Sequence, residues 1–314
     1  MLGRSAPVFK QFAFATRIFA HSIGGCECAT IGRKPCPDMP LRVEPVRSLD
    51  APELGPYRTM RRQLEHRQQR IFVAEGDKVV QRLLESSLPV VSLLLPPEWL
   101  EKLKPLLDRR VEKEDIVAYT AEKNVLEELT GFSMYQGVLG IGRIPELPTI
   151  AEVLARSPRP RLFAAVDALT SAENLGVVAR NCAAFGVYAL LVGETSSSPY
   201  LRRAVRSSMG AVFKLRVVEL ASLAEALRAL RAAGVQSIAA HPHTNRKSLY
   251  EADLTQDCCI VFGSEGYGIS PEVLKACDEL VAIPMASEVD SLNVGSAAAA
   301  FLYEATRQRS KLTA

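Results

Sequence analysis

Residues 259–271 read Cys-Ile-Val-Phe-Gly-Ser-Glu-Gly-Tyr-Gly-Ile-Ser-Pro. Cys259 to Phe262 is a short unbroken apolar run, the pattern of a strand covered on both faces. Gly263, Gly266 and Gly268 end that run, and Ser270-Pro271 is a strong helix start. A strand, a glycine-rich loop and a helix in this order form the repeating unit of a parallel α/β sheet. Glycines at this density also let backbone approach a ligand closely. The spacing is GxxxxG with an inner glycine rather than GxGxxG, with no acidic ribose reader after a following strand, which argues against a dinucleotide site. The absence of a GK[ST] ending argues against a nucleoside triphosphate loop.

Outward from this stretch, Leu162 to Val166, Leu190 to Val192, Phe213 to Val217, Ser237 to Ala240 and Leu280 to Ile283 are further short apolar runs. Helical patterns over Asn174 to Phe185, Ser222 to Ala233, Pro271 to Cys277 and Val294 to Arg307 follow most of them. The alternation predicts an α/β sheet with helices on both faces over residues 161–314, its ligand at the C-terminal ends of the strands. Upstream, Ile71 to Val73, Val90 to Leu95, Val117 to Tyr119 and Gly137 to Ile144 read as strands, alternating with helices over Asp77 to Glu85, Pro97 to Leu107 and Glu122 to Leu129. A smaller α/β domain is expected over residues 51–145, and residues 146–160 read as a linker with one short helix. Between Tyr57 and Arg70, five arginines face the single acid Glu65. This segment reads as a basic helix, with Arg61 and Arg62 able to touch phosphates or simply to form a solvated face.

The 314 residues are 48% hydrophobic and 23% charged, an ordinary globular composition with a length suited to two domains. A net charge of +3 permits nucleic-acid binding without indicating it. Among seven cysteines and four histidines no set has zinc-ligand spacing, so reduced, mostly buried thiols are expected and no metal. No apolar run approaches the roughly 18 residues that span a bilayer, which predicts a soluble, cytoplasmic protein with no membrane partner. Residues 1–50 are expected to be a disordered extension. Their early arginines, lysine and phenylalanines, with no acid before Glu27, leave open an organelle transit peptide, or an upstream extension with the start at Met39 or Met60.

Two other loops share the strand-end position. In the helix expected to begin at Asn174 as its N-cap, Leu175, Val178, Cys182 and Phe185 form one stripe, and Arg180 points almost opposite. Gly176, one turn earlier, is read as leaving room beside that arginine, which is otherwise an ordinary surface residue. Farther on, Ile283-Pro284-Met285 leads into Ser291-Leu292-Asn293 and then a helix of small residues, where Ser291 or Asn293 could act as a cap.

Together and in this order, Asn174-Leu175-Gly176 with Arg180, Val261 to Gly266, and Ile283-Pro284-Met285 with Ser291-Leu292-Asn293 closely resemble the three signature motifs of the SpoU/TrmH family of RNA ribose 2'-O-methyltransferases. Phe72-Val73-Ala74-Glu75-Gly76 and Gln136-Gly137 resemble the subfamily with an added substrate domain. The resemblance implies a C-terminal trefoil-knotted methyltransferase domain of the SPOUT superfamily, a smaller N-terminal L30e-like domain that binds RNA, and a homodimer. It implies S-adenosylmethionine as cofactor, held at Ala240, Gly263, Ile283, Met285 and Leu292, with Asn174, Arg180, Glu265, Ser291 and Asn293 on the reaction side. The Ala172-Glu173 entry to the first motif differs from the Asp-Pro type of many relatives. Arg202, Arg203 and Arg206 fall where relatives engage RNA. The extra domain makes 23S ribosomal RNA the expected substrate, with transfer RNA, or RNA binding without catalysis, as the alternatives.

Overall fold

The computed structural model describes residues 41–48, 50–111, 114–130, 133, 137–242, 247–286 and 290–311. The readings of residues 1–40 and of Gln136 lie outside these residues. The N-terminal part contains β1 (Arg42–Pro45), α1 (Gly55–Arg58), α2 (Gln63–Gln68), β2 (Ile71–Glu75), α3 (Asp77–Glu85), β3 (Val90–Leu95), α4 (Pro97–Val111), β4 (Val117–Thr120), α5 (Lys123–Thr130) and β5 (Leu139–Arg143). Its mixed sheet has the order β1-β4-β3-β5-β2, with β1, β4 and β3 parallel and β5 antiparallel to both β3 and β2. Apolar residues on one stripe of α3 (Val79, Val80, Leu83 and Leu84) are buried, which is what turns this helix toward the sheet.

Two N-terminal expectations are corrected. The sheet begins at Arg42, inside the stretch expected to be disordered, because β1 pairs by backbone with β4 although all four of its side chains are exposed. The basic segment is not one helix. It divides into α1 and α2, with Tyr57, Met60 and His66 turned inward and Arg70 in a left-handed conformation at φ 51° that closes the segment. The arginine run had masked these inward-facing residues.

After the capping-box helix α6 (Ile150–Arg156), in which Thr149 and Glu152 satisfy each other's backbone, the C-terminal part runs β6 (Leu162–Val166), α7 (Ala172–Ala184), β7 (Ala189–Val192), α8 (Arg202–Ser207), β8 (Arg216–Glu219), α9 (Leu223–Ala232), β9 (Gln236–Ala240), β10 (Cys258–Phe262), α10 (Pro271–Ala276), β11 (Glu279–Val281) and α11 (Val294–Ser310). The six strands are all parallel, in the order β11-β9-β10-β6-β7-β8. Central β6 and β10 are buried at every residue, as their unbroken apolar runs required. The strand expected from Phe213 starts later. Gly210 takes a left-handed conformation, residues 211–214 form a 3-10 turn, and Phe213 packs on Phe72 of β2 with ring centroids 5.2 Å apart instead of joining the sheet.

The described residues form one compact unit, and one hydrophobic cluster runs through both sheets. Phe72 also meets Tyr200, with ring centroids 5.7 Å apart. Beside these rings the Glu75 carboxylate, only 11% exposed, receives Arg202 and also Arg206 at 2.9 Å. Four cysteines, Cys182, Cys258, Cys259 and Cys277, are buried free thiols.

Candidate active site

The glycine-rich loop after β10 is held by its own backbone. Ser264 N–H donates to the Gly268 carbonyl at 2.9 Å, and Gly268 N–H returns the bond at 3.0 Å. The turn closes so tightly over Gly263 that a Cβ there would lie 2.2 Å from the Gly268 carbonyl carbon, so only glycine fits. The far end of the loop is fixed by Ser270, whose N–H donates to the buried Asp167 carboxylate at 2.6 Å.

This loop carries Glu265 to the place where two helix N-termini converge. Asn174 Nδ2 donates to Glu265 Oε1, and Asn293 Nδ2 donates to the same oxygen at 2.8 Å. Asn293 does two jobs, since its Oδ1 also accepts the Gly295 N–H at 2.9 Å as the N-cap of α11. The expectation that Asn174 caps α7 is corrected. Ser171 is the N-cap and accepts the Asn174 N–H, which leaves the Asn174 side chain free to reach Glu265. Gly176 also has a different role from the one expected. A Cβ there would lie 1.9 Å from Ser207 Oγ and 2.4 Å from the Ala204 carbonyl oxygen, so the glycine lets α8 seat against α7.

Next to Glu265 opens a cleft of about 280 Å³ at the C-terminal ends of β9, β10 and β11. Ala240, Gly263, Ile283, Met285 and Leu292 all line it, as do Glu265 and Ser291. Arg180 is exposed on α7, outside this lining and six residues beyond Asn174. Burial pushes the Cys259 thiol of β10 well above its ordinary pKa and that of Cys182 on α7 to about 12, so neither thiol is a nucleophile at neutral pH.

The arginines divide into two kinds. Arg61, Arg202 and Arg203 line one groove of about 290 Å³, which brings the N-terminal basic segment and α8 together. Arg202 is only 17% exposed and is committed to Glu75, so its expected role as a free RNA contact is corrected to a structural one. Arg203 and Arg206 are 63% and 64% exposed, although Arg203 pairs with Glu173 at 3.3 Å and Arg206 with Glu75. Arg62 is exposed and pairs with Glu65 at 3.0 Å.

The profile of the SpoU rRNA methylase family matches residues 161–303, which contain all three converging loops. An uncharacterised tRNA/rRNA methyltransferase of Mycobacterium tuberculosis is 34% identical over 246 residues, covering 76% of this chain and 81% of its own. The 23S rRNA (guanosine-2'-O-)-methyltransferase RlmB of Escherichia coli is 30% identical over 213 residues, covering 67% of this chain and 86% of its own. The chain belongs to the SpoU family of RNA methyltransferases. Among solved structures, the SpoU methyltransferase AviRb of Streptomyces viridochromogenes, in complex with AdoMet, superimposes with a TM-score of 0.69 at 26% identity, covering 82% of this chain and 98% of its own. An RNA 2'-O ribose methyltransferase gives 0.69 at 27% identity, covering 85% and 99%.

For this SpoU chain, the positioning roles of three residues were not read from the sequence, Glu75 having been named only as part of a motif. Asp167 anchors the glycine-rich loop, Ser171 frees Asn174, and Glu75 fixes α8. Ser171, three residues before Asn174, carried a usable capping signal. The partners of Asp167 and Glu75 are about a hundred residues or more away along the chain, and no local pattern encodes them.

Proposed function

We propose that this SpoU-family enzyme transfers the methyl group of S-adenosylmethionine to a ribose 2'-hydroxyl of large-subunit ribosomal RNA. The observation that carries this reading is the meeting of Asn174, Glu265 and Asn293 beside a cleft lined by Ala240, Gly263, Ile283, Met285 and Leu292. The cleft suits the cofactor by its chemistry. Ile283 and Leu292 offer apolar surface for the faces of an adenine, and the backbone at Gly263 can approach without a side chain between. When bound, the cofactor supplies a methyl carbon activated by a positively charged sulfur.

The protein's part is to place the attacking oxygen. Glu265 is aimed by two amide donors, so its carboxylate presents a fixed acceptor edge at the cleft. Arg180 carries a guanidinium, which has only donors and is a poor proton acceptor. In this reading its guanidinium binds a neighbouring phosphate and orients the ribose, with Ser291 on the same side of the reaction.

Ribosomal rather than transfer RNA is favoured by the five-stranded N-terminal sheet and by likeness to RlmB, an enzyme of 23S rRNA. The N-terminal sheet is read as the substrate-binding domain, with exposed Arg61, Arg62, Arg203 and Arg206 meeting the phosphate backbone. A homodimer and a cytoplasmic location complete the reading. No helix among the described residues is long and apolar enough to cross a membrane.

Calorimetric titration tests the cofactor: S-adenosylmethionine and S-adenosylhomocysteine should bind and NAD should not, and the reverse would overturn the assignment. Mapping ribose methylation in total RNA from cells lacking the protein tests the substrate. One large-subunit site should disappear. Loss of a transfer-RNA site instead would redirect the substrate, and an unchanged map would contradict the reading.

A further inference from the structure

Tyr267 is the most exposed large apolar side chain among the described residues, with 97% of its surface open. Its loop is closed by the Ser264–Gly268 backbone pair, and Ser264 Oγ accepts the Tyr267 N–H at 3.3 Å. Gly268, at φ +68°, turns the chain back directly after it. These bonds use only the backbone of residue 267, so the ring adds nothing to the loop that holds it. It stands on the rim of the cleft, two residues from the Glu265 carboxylate that Asn174 and Asn293 hold.

The chemistry of the site says what such a ring can do. Paired RNA displays its ribose 2'-hydroxyls in the minor groove, but sequence-specific recognition of RNA falls mostly on single-stranded loops and bulges, where a nucleotide has lost its stacking partners. Unstacked bases in RNA are commonly received on tyrosine or phenylalanine faces. We propose that Tyr267 is a positioning residue whose ring stacks on the unpaired base of the nucleotide being methylated, fixing that nucleotide while its ribose lies against Glu265. The proposal rests on the reading of the site as an RNA ribose methyltransferase. A stacking platform is tolerant of base identity, so Tyr267 holds the nucleotide without choosing among bases.

The test uses the full chain, S-adenosylmethionine and a transcript of large-subunit ribosomal RNA. Tyr267→Ala should raise KM for RNA by about tenfold, within the range measured for loss of one base-aromatic stack, with a smaller effect on kcat. Tyr267→Phe should restore KM, because the face and not the hydroxyl is used. The affinity for S-adenosylmethionine, the melting temperature and the sedimentation coefficient should stay as in the unaltered protein. An unchanged KM for RNA would overturn the proposal. So would a loss confined to S-adenosylmethionine affinity, which would make the ring a cover for the cofactor, or a change in sedimentation, which would assign it to a second copy of the chain. Absence of methylation by the unaltered protein would remove the proposed function and this proposal with it. An active enzyme indifferent to Tyr267→Ala would remove this proposal alone.

Discussion

Glu265 belongs to no helix or strand, yet it is the residue on which the proposed reaction side depends, because a single carboxylate oxygen receives amides from two distant helix starts. Hydrogen bonds to a charged group contribute about 1.5–3 kcal/mol each. Glu265→Ala is therefore expected to lower kcat by about ten- to a hundredfold while leaving S-adenosylmethionine affinity near that of the unaltered protein, as steady-state rates and calorimetry would show. A fall in cofactor affinity with unchanged kcat would move Glu265 to the cofactor side. At this scale the sequence was informative where a residue sits at a strand end in a recognisable motif. Asn174, Glu265 and Asn293 were all legible in that way. It was misleading where two residues compete for one role: Asn174 is a good capping type, but Ser171 takes the cap and leaves Asn174 to the site. It placed Glu75 in a subfamily motif but was silent on its partners, arginines more than a hundred residues later.

Helix α7 shows how packing between elements sets the site. It carries Asn174 at its start, touches α8 through Gly176, and is tied to α11 by Asn181, whose side-chain amide donates to the Gly295 carbonyl at 2.7 Å. Of the predicted stripe of Leu175, Val178, Cys182 and Phe185, the first three are buried and Phe185, at the C-cap, is half-buried against the same core, so the helix itself was readable. Its approach to α8 was not, because a glycine in a sequence does not say which neighbour it admits. Gly176→Ala should cost about 1–3 kcal/mol, the usual range for overpacking, measured as a lower denaturant midpoint, with methyl transfer reduced as Asn174 shifts. Unchanged stability would mean that α8 moves aside freely. In α11, hydrogen bonds from Arg307 hold the Glu304 carboxyl down at about 2. A carboxyl lowered in the folded state contributes stability above its ordinary pKa of 4.5 and loses it as the pH falls toward 2. Glu304→Gln should therefore lower stability at neutral pH, flatten the loss across that interval and change little near pH 2, as unfolding curves against pH would show. Elements without an apolar pattern were the ones misread. The four exposed residues of β1 are recruited by backbone pairing alone, and the arginines of residues 57–70 outnumber the few inward residues that split α1 from α2.

Over the whole molecule, the two sheets are joined by the Phe72, Tyr200 and Phe213 rings and by Glu75 with its two arginines, so the N-terminal sheet is set firmly against the catalytic part. The α/β class could be read from strand and helix alternation, whereas this joint could not, since it is made by residues from separate patterns. The joint also separates two arginines that look equivalent in sequence. Arg203→Ala, at an exposed position, should weaken RNA binding and lower the slope of log affinity against log salt by about 0.7–0.9, the share of one phosphate contact. Arg202→Ala removes one of the partners of a largely buried carboxylate and should first lower the melting temperature. Equal salt slopes with and without Arg203 would take it off the RNA path. The central claim concerns the atom that receives the methyl group. The most direct measurement incubates the purified protein with methyl-labelled S-adenosylmethionine and large-subunit ribosomal RNA, digests the RNA to nucleosides, and locates the label by mass spectrometry. The label is expected on the ribose 2'-oxygen of a single nucleotide; label on a base, or no transfer to RNA while the cofactor is bound, would contradict the account.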